Sequence, residues 1–302
     1  MPLLSKRHIA FLKILVTTML WGTTYVLVRM GLTDLGPLML AGIRYTLAGI
    51  ILLPVLKVKN INIRNYKKNF WQLALLGILS FTIGNGSSGF ALEYLPSTTV
   101  SFITNLSTPL VLLFSIFLLN EIPKAVQIAG VGLSLVGLVL YFSPQELSLN
   151  NLGYTILIIS LLGFTFYTIL GRFVARSREV PFLVKTAIPF LVGGGLLLIL
   201  ALIFEGIPLL TLKAGLIIIW MVIVNSIIGY LLYNQSLSEL TALEVNMVMK
   251  LQMFFTAVFA FFLLGEKITF SQILAMAVVF LGVYLVQRDN HIKPRAIKQL
   301  IL

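Results

Sequence analysis

Cysteine, histidine and charged residues are the groups that this chain of 302 residues lacks or holds in small number. It has no cysteine, which excludes disulfides, thiolate nucleophiles and cysteine-ligated metals. Its two histidines, His8 and His291, lie in the terminal segments, so a histidine base or histidine-bound zinc is not expected within the body of the chain. A G-x-S-x-G elbow and a P-loop are also absent. We therefore expect no enzyme, no cofactor and no metal site.

Apolar residues dominate the composition. They make up 59% of the chain against 11% charged residues, with a mean hydropathy of +1.02, which excludes a soluble protein of this length. Ten apolar segments can be read, at 10–30, 36–56, 70–91, 96–119, 125–143, 152–172, 182–204, 212–235, 241–264 and 269–287. Each is close to the ~20 residues that an α-helix needs to cross a bilayer. Because backbone groups must be paired in lipid, and no alternating pattern suggests a β-barrel, we predict an all-α integral membrane protein with ten transmembrane helices.

The second half of the chain repeats the first with a shift of 145 residues. FLLNE at 117–121 corresponds to FLLGE at 262–266, and Gly137 corresponds to Gly282. Five predicted spans per half is an odd number, so the second half must enter the membrane upside down, which gives two inverted five-helix repeats. We expect the first repeat over residues 1–145, the second over 146–288 and a basic cytoplasmic tail over 289–302.

The loop charges predict the orientation. With the N-terminus inside, the cytoplasmic loops hold seventeen Lys and Arg residues, whereas the outside holds only Lys213 and Lys267. This bias predicts a protein of the cell (cytoplasmic) membrane with both termini in the cytoplasm. The net charge of +12 then faces anionic lipid, and no nucleic-acid partner is expected.

Short motifs in both halves resemble those of the EamA-type drug/metabolite transporter superfamily. The matching positions are LWGTTY at 20–25, Pro37 and Arg44 in the second segment, GFALEYLP at 89–96, Pro109 in the fourth, and Glu121 and Glu266 closing the fourth and ninth. The chain departs from the pattern at Asn120, where Gly is usual, and at Lys250, where the ninth segment usually holds a neutral residue. The resemblance implies a secondary transporter of small organic solutes, with export as the expected direction.

Lys250 is the main candidate for a substrate-binding residue. It is the tenth residue of the ninth predicted span, ~14 Å from the end of that span and therefore near the midplane. An ionisable group at that depth is a functional candidate by default. Its counterpart in the first half is Asn105, and Asn246 lies one turn before it. We expect the three to line a cavity in which the ammonium group meets a substrate anion; alternatively they only hydrogen-bond neighbouring helices.

Arg44 and Asn85 are further candidates in the first half. Arg44 lies ~12 Å below the outer edge of the second predicted helix, where it forms the upper wall of the cavity or pairs with Asp34 or Glu93. Asn85 and Tyr230 correspond under the shift, and each follows a glycine that allows helices to approach closely or to bend. Both alternatives for Arg44 stay open from the sequence.

Aromatic residues offer a second kind of contact. Trp21, Tyr167 and Tyr230 could cradle an apolar or ring-bearing substrate, although single aromatics in membrane helices often only pack or anchor. Glu121 and Glu266 lie at predicted helix ends and are expected to cap or latch loops rather than to carry protons. Glu244 is the only carboxylate expected within the membrane, so proton coupling has little support.

The expected mechanism is alternating access. Two inverted halves rock around one midplane cavity lined by the first, third, fourth, sixth, eighth and ninth helices. The expected substrate is a small molecule, either an amino acid or a related zwitterion or anion. The other expected partner is the lipid bilayer. The alternatives are a multidrug or aromatic-compound exporter and, in a different class, a channel, scramblase-like or scaffold membrane protein. A homodimer is compatible with the sequence, which does not decide the oligomeric state.

Overall fold

The protein is helical throughout the residues that its structure, a computed structural model, describes. These are residues 5–31, 34–91, 94–95, 100, 103–104, 106–141, 151–177, 179–207, 210–265 and 269–288, and they contain no β-strand. The helices are α1 Lys6–Gly31, α2 Pro37–Val58, α3 Ile63–Ala91, α4 Ser107–Leu119, α5 Ala125–Tyr141, α6 Asn151–Ser177, α7 Phe182–Phe204, α8 Leu212–Glu239, α9a Ala242–Met249, α9b Gln252–Leu264 and α10 Phe270–Arg288. The all-helical fold class is therefore confirmed for these ranges.

Eight of these elements are long and apolar enough to cross a membrane: α1, α2, α3, α6, α7, α8, α10, and α9a with α9b taken together as one span. The other two, α4 and α5, are shorter apolar helices. The segment predicted for the fourth helix begins at residue 96, but several of its first residues lie outside the described ranges. The count of ten spans thus stays a prediction.

The ninth helix is interrupted at Lys250 and Leu251. There the backbone N–H of Lys250 donates to Met247 O, and that of Leu251 to Val248 O, each at 3.0 Å. These bonds to the third preceding residue form a turn tighter than an α-helix. In the first half, the Leu106 N–H makes the same kind of bond, at 2.9 Å, just before α4 begins. Leu106 and Leu251 correspond under the shift of 145, so the same kind of tight turn occurs at the same place in both halves.

Wider π-helical turns occur in α3 at Ile78–Gly86 and in α8 at Met221–Ile228. The shift of 145 brings most of the first segment onto the second. A third π-helical segment, Phe190–Gly194, lies in α7. Such turns are rare and are frequent at functional sites, so their positions guide the search for the site below.

Asn120 and Gly265, which follow α4 and α9b, also correspond in the repeat. Both adopt left-handed backbone conformations, with φ of 53° and 66°. Glycine is the usual residue in this conformation and asparagine is the tolerated alternative. Asn120 therefore replaces the usual Gly without changing how the helix ends.

Helices α5 and α10, the last helices of the two halves, pack against each other through small residues. A Cβ added to Gly130 would lie 2.7 Å from Gly282 O, and one added to Gly137 would lie 2.9 Å from Ala275 O. The partner number falls as the residue number rises, so the two helices run antiparallel. Gly130 corresponds to Ala275 in the repeat, and Gly137 corresponds to Gly282, so each contact is the repeat equivalent of the other. Two elements related by a pseudo-two-fold axis meet in this way.

Candidate functional site

Tyr230, in α8 just after its π-helical segment, lies at the centre of an aromatic cluster. Its ring centroid is 4.6 to 6.5 Å from those of its neighbours. The ring cluster consists of Tyr230, Trp21, Tyr45, Phe81, Tyr167, Phe190 and Tyr233. These residues come from α1, α2, α3, α6, α7 and α8, so the cluster joins elements of both halves. It brings together three of the predicted site residues, Trp21, Tyr167 and Tyr230.

Asn85 and Arg44 reach the ring cluster through Tyr45. The Tyr45 hydroxyl donates to Asn85 Oδ1 at 3.2 Å, and Asn85 Nδ2 donates to Ser80 O at 2.7 Å. The Arg44 guanidinium carbon lies 4.7 Å from the centroid of the Tyr45 ring. Arg44 Nε donates to Ser226 Oγ, in the π-helical segment of α8, at 2.7 Å. Five of the predicted residues therefore lie in one region.

The predicted pair between Arg44 and Asp34 is wrong. Asp34 instead accepts a hydrogen bond of 2.8 Å from the Thr211 hydroxyl, at the start of α8. Arg44, two turns inside α2, donates to Ser226 and forms no ion pair with Asp34. The alternative partner, Glu93, lies outside the described residues.

Lys250 is buried at the interruption of the ninth helix, with 7% of its surface exposed. It borders a narrow cavity with room for about one water molecule, too small for an organic substrate in this conformation. The other lining residues are Thr108, Val131, Ser134, Leu135, Leu138 and Val279. These residues belong to α4, α5 and α10. Of the helices that border this cavity, α4 and the ninth helix are among the predicted cavity-lining helices, whereas α5 and α10 are not. Lys250 thus lies on the side of the ninth helix that packs towards α5 and α10.

Asn246, the second candidate of the ninth helix, accepts a hydrogen bond of 2.7 Å from the Thr108 hydroxyl. Thr108 also lines the cavity at Lys250, so the two candidates of the ninth helix meet the same residue of α4. Asn105, the third member of the predicted set, lies outside the described residues. The predicted site is therefore divided between the ring cluster and the surroundings of Lys250.

Helix α1 lies between these two groups. The indole of Trp21 packs in the ring cluster, and its Nε1 donates to Asn225 O at 2.7 Å. The backbone oxygen of the same residue accepts from Gln252 Nε2, two residues after Lys250, at 3.0 Å. Trp21 therefore connects the ring cluster with the interrupted part of the ninth helix.

Asn225 is a buried polar residue that the sequence analysis did not single out. Its Nδ2 donates to Leu20 O at 2.8 Å and contacts the hydroxyls of Thr23 and Thr24 at 2.9 and 2.8 Å. Its Oδ1 is buried and has no hydrogen-bond partner among the described residues. A signal was available, because Asn225 and Ser226 are the two polar residues in a long apolar run of α8.

A clasp of charged residues closes the end of the bundle at which α1 begins, called here the Arg7 end. Glu121 accepts from Arg172 Nε at 2.8 Å and from the backbone N–H of Ala242 at 3.0 Å, and Arg176 lies 3.9 Å from it. Glu121 therefore ties the end of α4 to α6 and to the start of α9a. This agrees with the latching role predicted for it; Glu266 lies outside the described residues.

Glu244 belongs to the same clasp. It forms a capping box with Thr241 at the start of α9a and pairs with Arg7 of α1. Its backbone oxygen accepts from Gln287 of α10 at 3.0 Å. Glu244 is thus a helix cap at the Arg7 end of the bundle.

The opposite end, called here the Asp34 end, is closed in another way. Glu205, just after α7, accepts from the backbone N–H groups of Leu38 and Met39 at 2.8 and 2.7 Å. A carboxylate placed at the start of α2 satisfies otherwise unpaired N–H groups and favours the helix dipole. With the Asp34–Thr211 hydrogen bond, this contact joins α2 to α7 and the end of α1 to α8.

Comparison with known proteins assigns the family. A model of the EamA-like transporter family matches residues 8–143 and again residues 151–288. The chain belongs to the EamA-like transporter family. Such a double match places one copy of the family unit in each half, and it identifies a multi-pass membrane transporter.

Relatives of this EamA-like transporter are themselves named as transporters. An uncharacterized transporter of Clostridium kluyveri is 26% identical over 90% of this chain and 91% of its own length. The uncharacterized inner membrane transporter YedA of Escherichia coli is 26% identical over 91% of this chain and 89% of its own length. The S-adenosylmethionine/S-adenosylhomocysteine transporter of Chlamydia trachomatis is 24% identical over 93% of this chain and 90% of its own length.

A solved crystal structure has the same fold. It matches the EamA-like transporter with a TM-score of 0.79, over 92% of this chain and 96% of the other. The sequences are 16% identical, so this likeness concerns the fold alone.

Proposed function

We propose that this EamA-like transporter exports a small organic anion or zwitterion, such as an amino acid, by alternating access. The observation that carries the proposal is the interruption of the ninth helix at Lys250, which places a buried cation at a helix break. Secondary transporters commonly build substrate sites from discontinuous helices near the membrane centre. Lys250 lies eight residues after the start of α9a, ~12 Å along the helix.

Inverted repeats are part of the proposal. The antiparallel packing of α5 and α10, with contacts that the repeat exchanges, is what an axis in the membrane plane would produce. The matching tight turns at Leu106 and Leu251 support the same relation. We also propose that both termini lie in the cytoplasm and that the Arg7 end is the cytoplasmic one; the charge bias of the loops supports this orientation.

Alternating access also needs two ends that can close. The clasp of Glu121 and Glu244 closes the Arg7 end, and Glu205 closes the Asp34 end. Between them lie seven of the eight proposed site residues, which are Lys250, Asn246, Asn85, Trp21, Tyr230, Tyr167 and Arg44; Asn105, the eighth, is outside the described residues. Opening one end at a time would expose these residues to one side of the membrane and then to the other.

The test is transport by purified protein in liposomes, with labelled amino acids, organic acids and cationic drugs as candidate solutes. Lys250→Met should lower transport of anions or zwitterions at least tenfold, because a charge-assisted hydrogen bond contributes ~1.5–3 kcal/mol. Lys250→Arg should restore part of the rate, since the guanidinium needs more room. A carrier should also show trans-stimulation, which a channel would lack.

Lys185 offers the matched control. It is an equally buried lysine, in α7, and its Nζ donates to Val174 O at 2.7 Å near the end of α6. Lys185→Met should affect folding but leave the solute preference unchanged. If well-folded Lys250→Met transported at the wild-type rate, the proposed role of Lys250 would be refuted.

The ring cluster favours a second candidate, the export of aromatic or other ring-bearing compounds. Tyr230 and its neighbours provide flat apolar surfaces at the junction of six helices. The Chlamydia relative is a transporter of S-adenosylmethionine and S-adenosylhomocysteine, molecules that combine an amino-acid group with an adenine ring. Competition between leucine and phenylalanine for the same carrier distinguishes the candidates, because a ring-selective site would prefer phenylalanine.

A further inference from the structure

Arg44 is a buried cation to which the described part of the chain offers no acidic partner. Only 4% of its surface is exposed, and no carboxylate of the described residues lies within 4.0 Å of its nitrogens. A guanidinium keeps its charge in proteins, so burial cannot be relieved by loss of a proton. Arg172 shows the usual solution, since it is 7% exposed and pairs with Glu121 at 2.8 Å. Among the described residues, Arg44 instead contacts the neutral hydroxyl of Ser226 and the aromatic ring of Tyr45.

Two contacts hold the Arg44 side chain in place. Its Nε donates to Ser226 Oγ at 2.7 Å, and its guanidinium carbon lies 4.7 Å from the Tyr45 ring centroid. Neither contact uses the two terminal nitrogens, which make no hydrogen bond to any residue that the structure describes. These nitrogens form the fork that binds a carboxylate through two parallel hydrogen bonds. The side chain is therefore oriented, with its anion-binding edge unused.

The surroundings of Arg44 fit a binding site. Arg44 is the eighth residue of α2, ~11 Å along the helix from the Asp34 end. Ser226 belongs to a π-helical segment, and Tyr45 is a member of the ring cluster. Next to Ser226, the buried Oδ1 of Asn225 lacks a donor. The Asn225 amide bonds α1, so the unused capacity at the contact between α2 and α8 is that of the Arg44 terminal nitrogens.

We infer that Arg44 binds the anionic group of the transported solute, a carboxylate, between α2 and α8 in the half of the pathway nearer the Asp34 end. This inference rests on the proposed transport function and narrows its substrate class to carboxylates. It gives Arg44 a role that does not depend on Lys250, whose cavity lies towards α5 and α10. The body of the solute would lie against Tyr45 and Tyr230 of the ring cluster.

Matched solutes test this inference directly. Leucine, 4-methylpentanoate and 3-methylbutylamine share the same isobutyl group. Leucine carries both a carboxylate and an amine, 4-methylpentanoate only the carboxylate, and 3-methylbutylamine only the amine. Phenylalanine, 3-phenylpropionate and phenethylamine form a second set with an aromatic body. Binding to purified protein is measured by the rise in thermal unfolding midpoint, and transport by uptake into liposomes. We expect carboxylate-bearing members of at least one set to bind and move, and the amines to do neither.

Arg44→Gln should weaken binding of the carboxylate-bearing solutes at least tenfold, and Arg44→Lys should restore part of it. Without solute, Arg44→Gln should unfold at or above the wild-type temperature, because it removes a buried charge with no acidic partner. Arg172→Gln is the control: it should lower the unfolding temperature but keep the wild-type preference for carboxylates. Should Arg44→Gln prove too unstable, Ser226→Ala, which releases only Nε, is expected to weaken carboxylate binding several-fold.

The outcomes separate this inference from the proposed function. Full carboxylate binding by Arg44→Gln, or by Ser226→Ala where Arg44→Gln is too unstable, would overturn the inference. So would a wild-type protein that moves amines or neutral solutes but no carboxylate, although transport itself would then stand. If the protein transported no solute of either set, and none of the amino acids, organic acids and cationic drugs named above, both the inference and the proposed transport function would fail.

Discussion

The two ends of the bundle are closed by different chemistry. At the Arg7 end, Glu121 and Glu244 form ion pairs with arginines and also meet helix starts. At the Asp34 end, Glu205 meets only backbone N–H groups and Asp34 meets a hydroxyl. One end is therefore held by buried carboxylates paired with arginines, and the other by carboxylates that meet neutral donors.

This difference predicts unequal resistance to opening. The side chains of Arg172 and Glu121 are 9% and 7% exposed, and separating a buried pair without replacing a partner costs ~3–5 kcal/mol. A carboxylate that caps a helix start contributes ~0.5–2 kcal/mol. In an alternating-access cycle, the Arg7 end is then the one that needs more free energy to open before substrate binds.

Glu121→Gln should give the largest effect. It leaves Arg172 buried with a neutral partner, so we expect a loss of ~3–5 kcal/mol from the clasp and a thermal unfolding midpoint several degrees lower. Because the chain has no cysteine, a single Ala10→Cys next to Ser236 gives a specific label at this end. A membrane-impermeant maleimide should label it faster in Glu121→Gln than in the parent. Unchanged stability and labelling would show that the clasp does not hold this end closed.

Glu205→Gln should have a smaller effect. The glutamine still offers an oxygen to the N–H groups of Leu38 and Met39, and only the charge interaction with the start of α2 is lost, ~0.3–1 kcal/mol. The midpoint should fall by much less than in Glu121→Gln. If the two variants were equally destabilised, the contrast between the two ends would be wrong.

The helices and the repeat could be predicted because both are visible in the order of residues alone. Apolar runs of the right length specify spans, and the matched FLLNE and FLLGE motifs align the two halves without a structure. The left-handed backbone after α4 and α9b could also have been inferred from the Asn120 and Gly265 pair.

Partners of individual side chains could not be predicted in this way. The sequence offers Asp34 and Glu93 as possible partners of Arg44, whereas its hydrogen-bond partner is the neutral Ser226, 182 residues away. Lys250 is buried, and the direction of its side chain depends on how the interrupted helix is rotated against α5 and α10. That rotation is set by packing between distant segments, and the tight turn at Lys250 changes it further.

Exchanging Asn120 and Gly265 should give the smallest effect and compares the two halves with each other. Both residues have positive φ, where glycine is unstrained and asparagine is tolerated, so Asn120→Gly and Gly265→Asn should each change stability by less than ~1 kcal/mol, in opposite directions. Asn120→Ala should cost ~1–2 kcal/mol, because alanine is strained in this conformation. Thermal unfolding midpoints of the three variants are the measurement. If Asn120→Gly were as damaging as Asn120→Ala, the asparagine side chain itself would be required at the end of α4, and the two halves would differ where the repeat makes them equivalent.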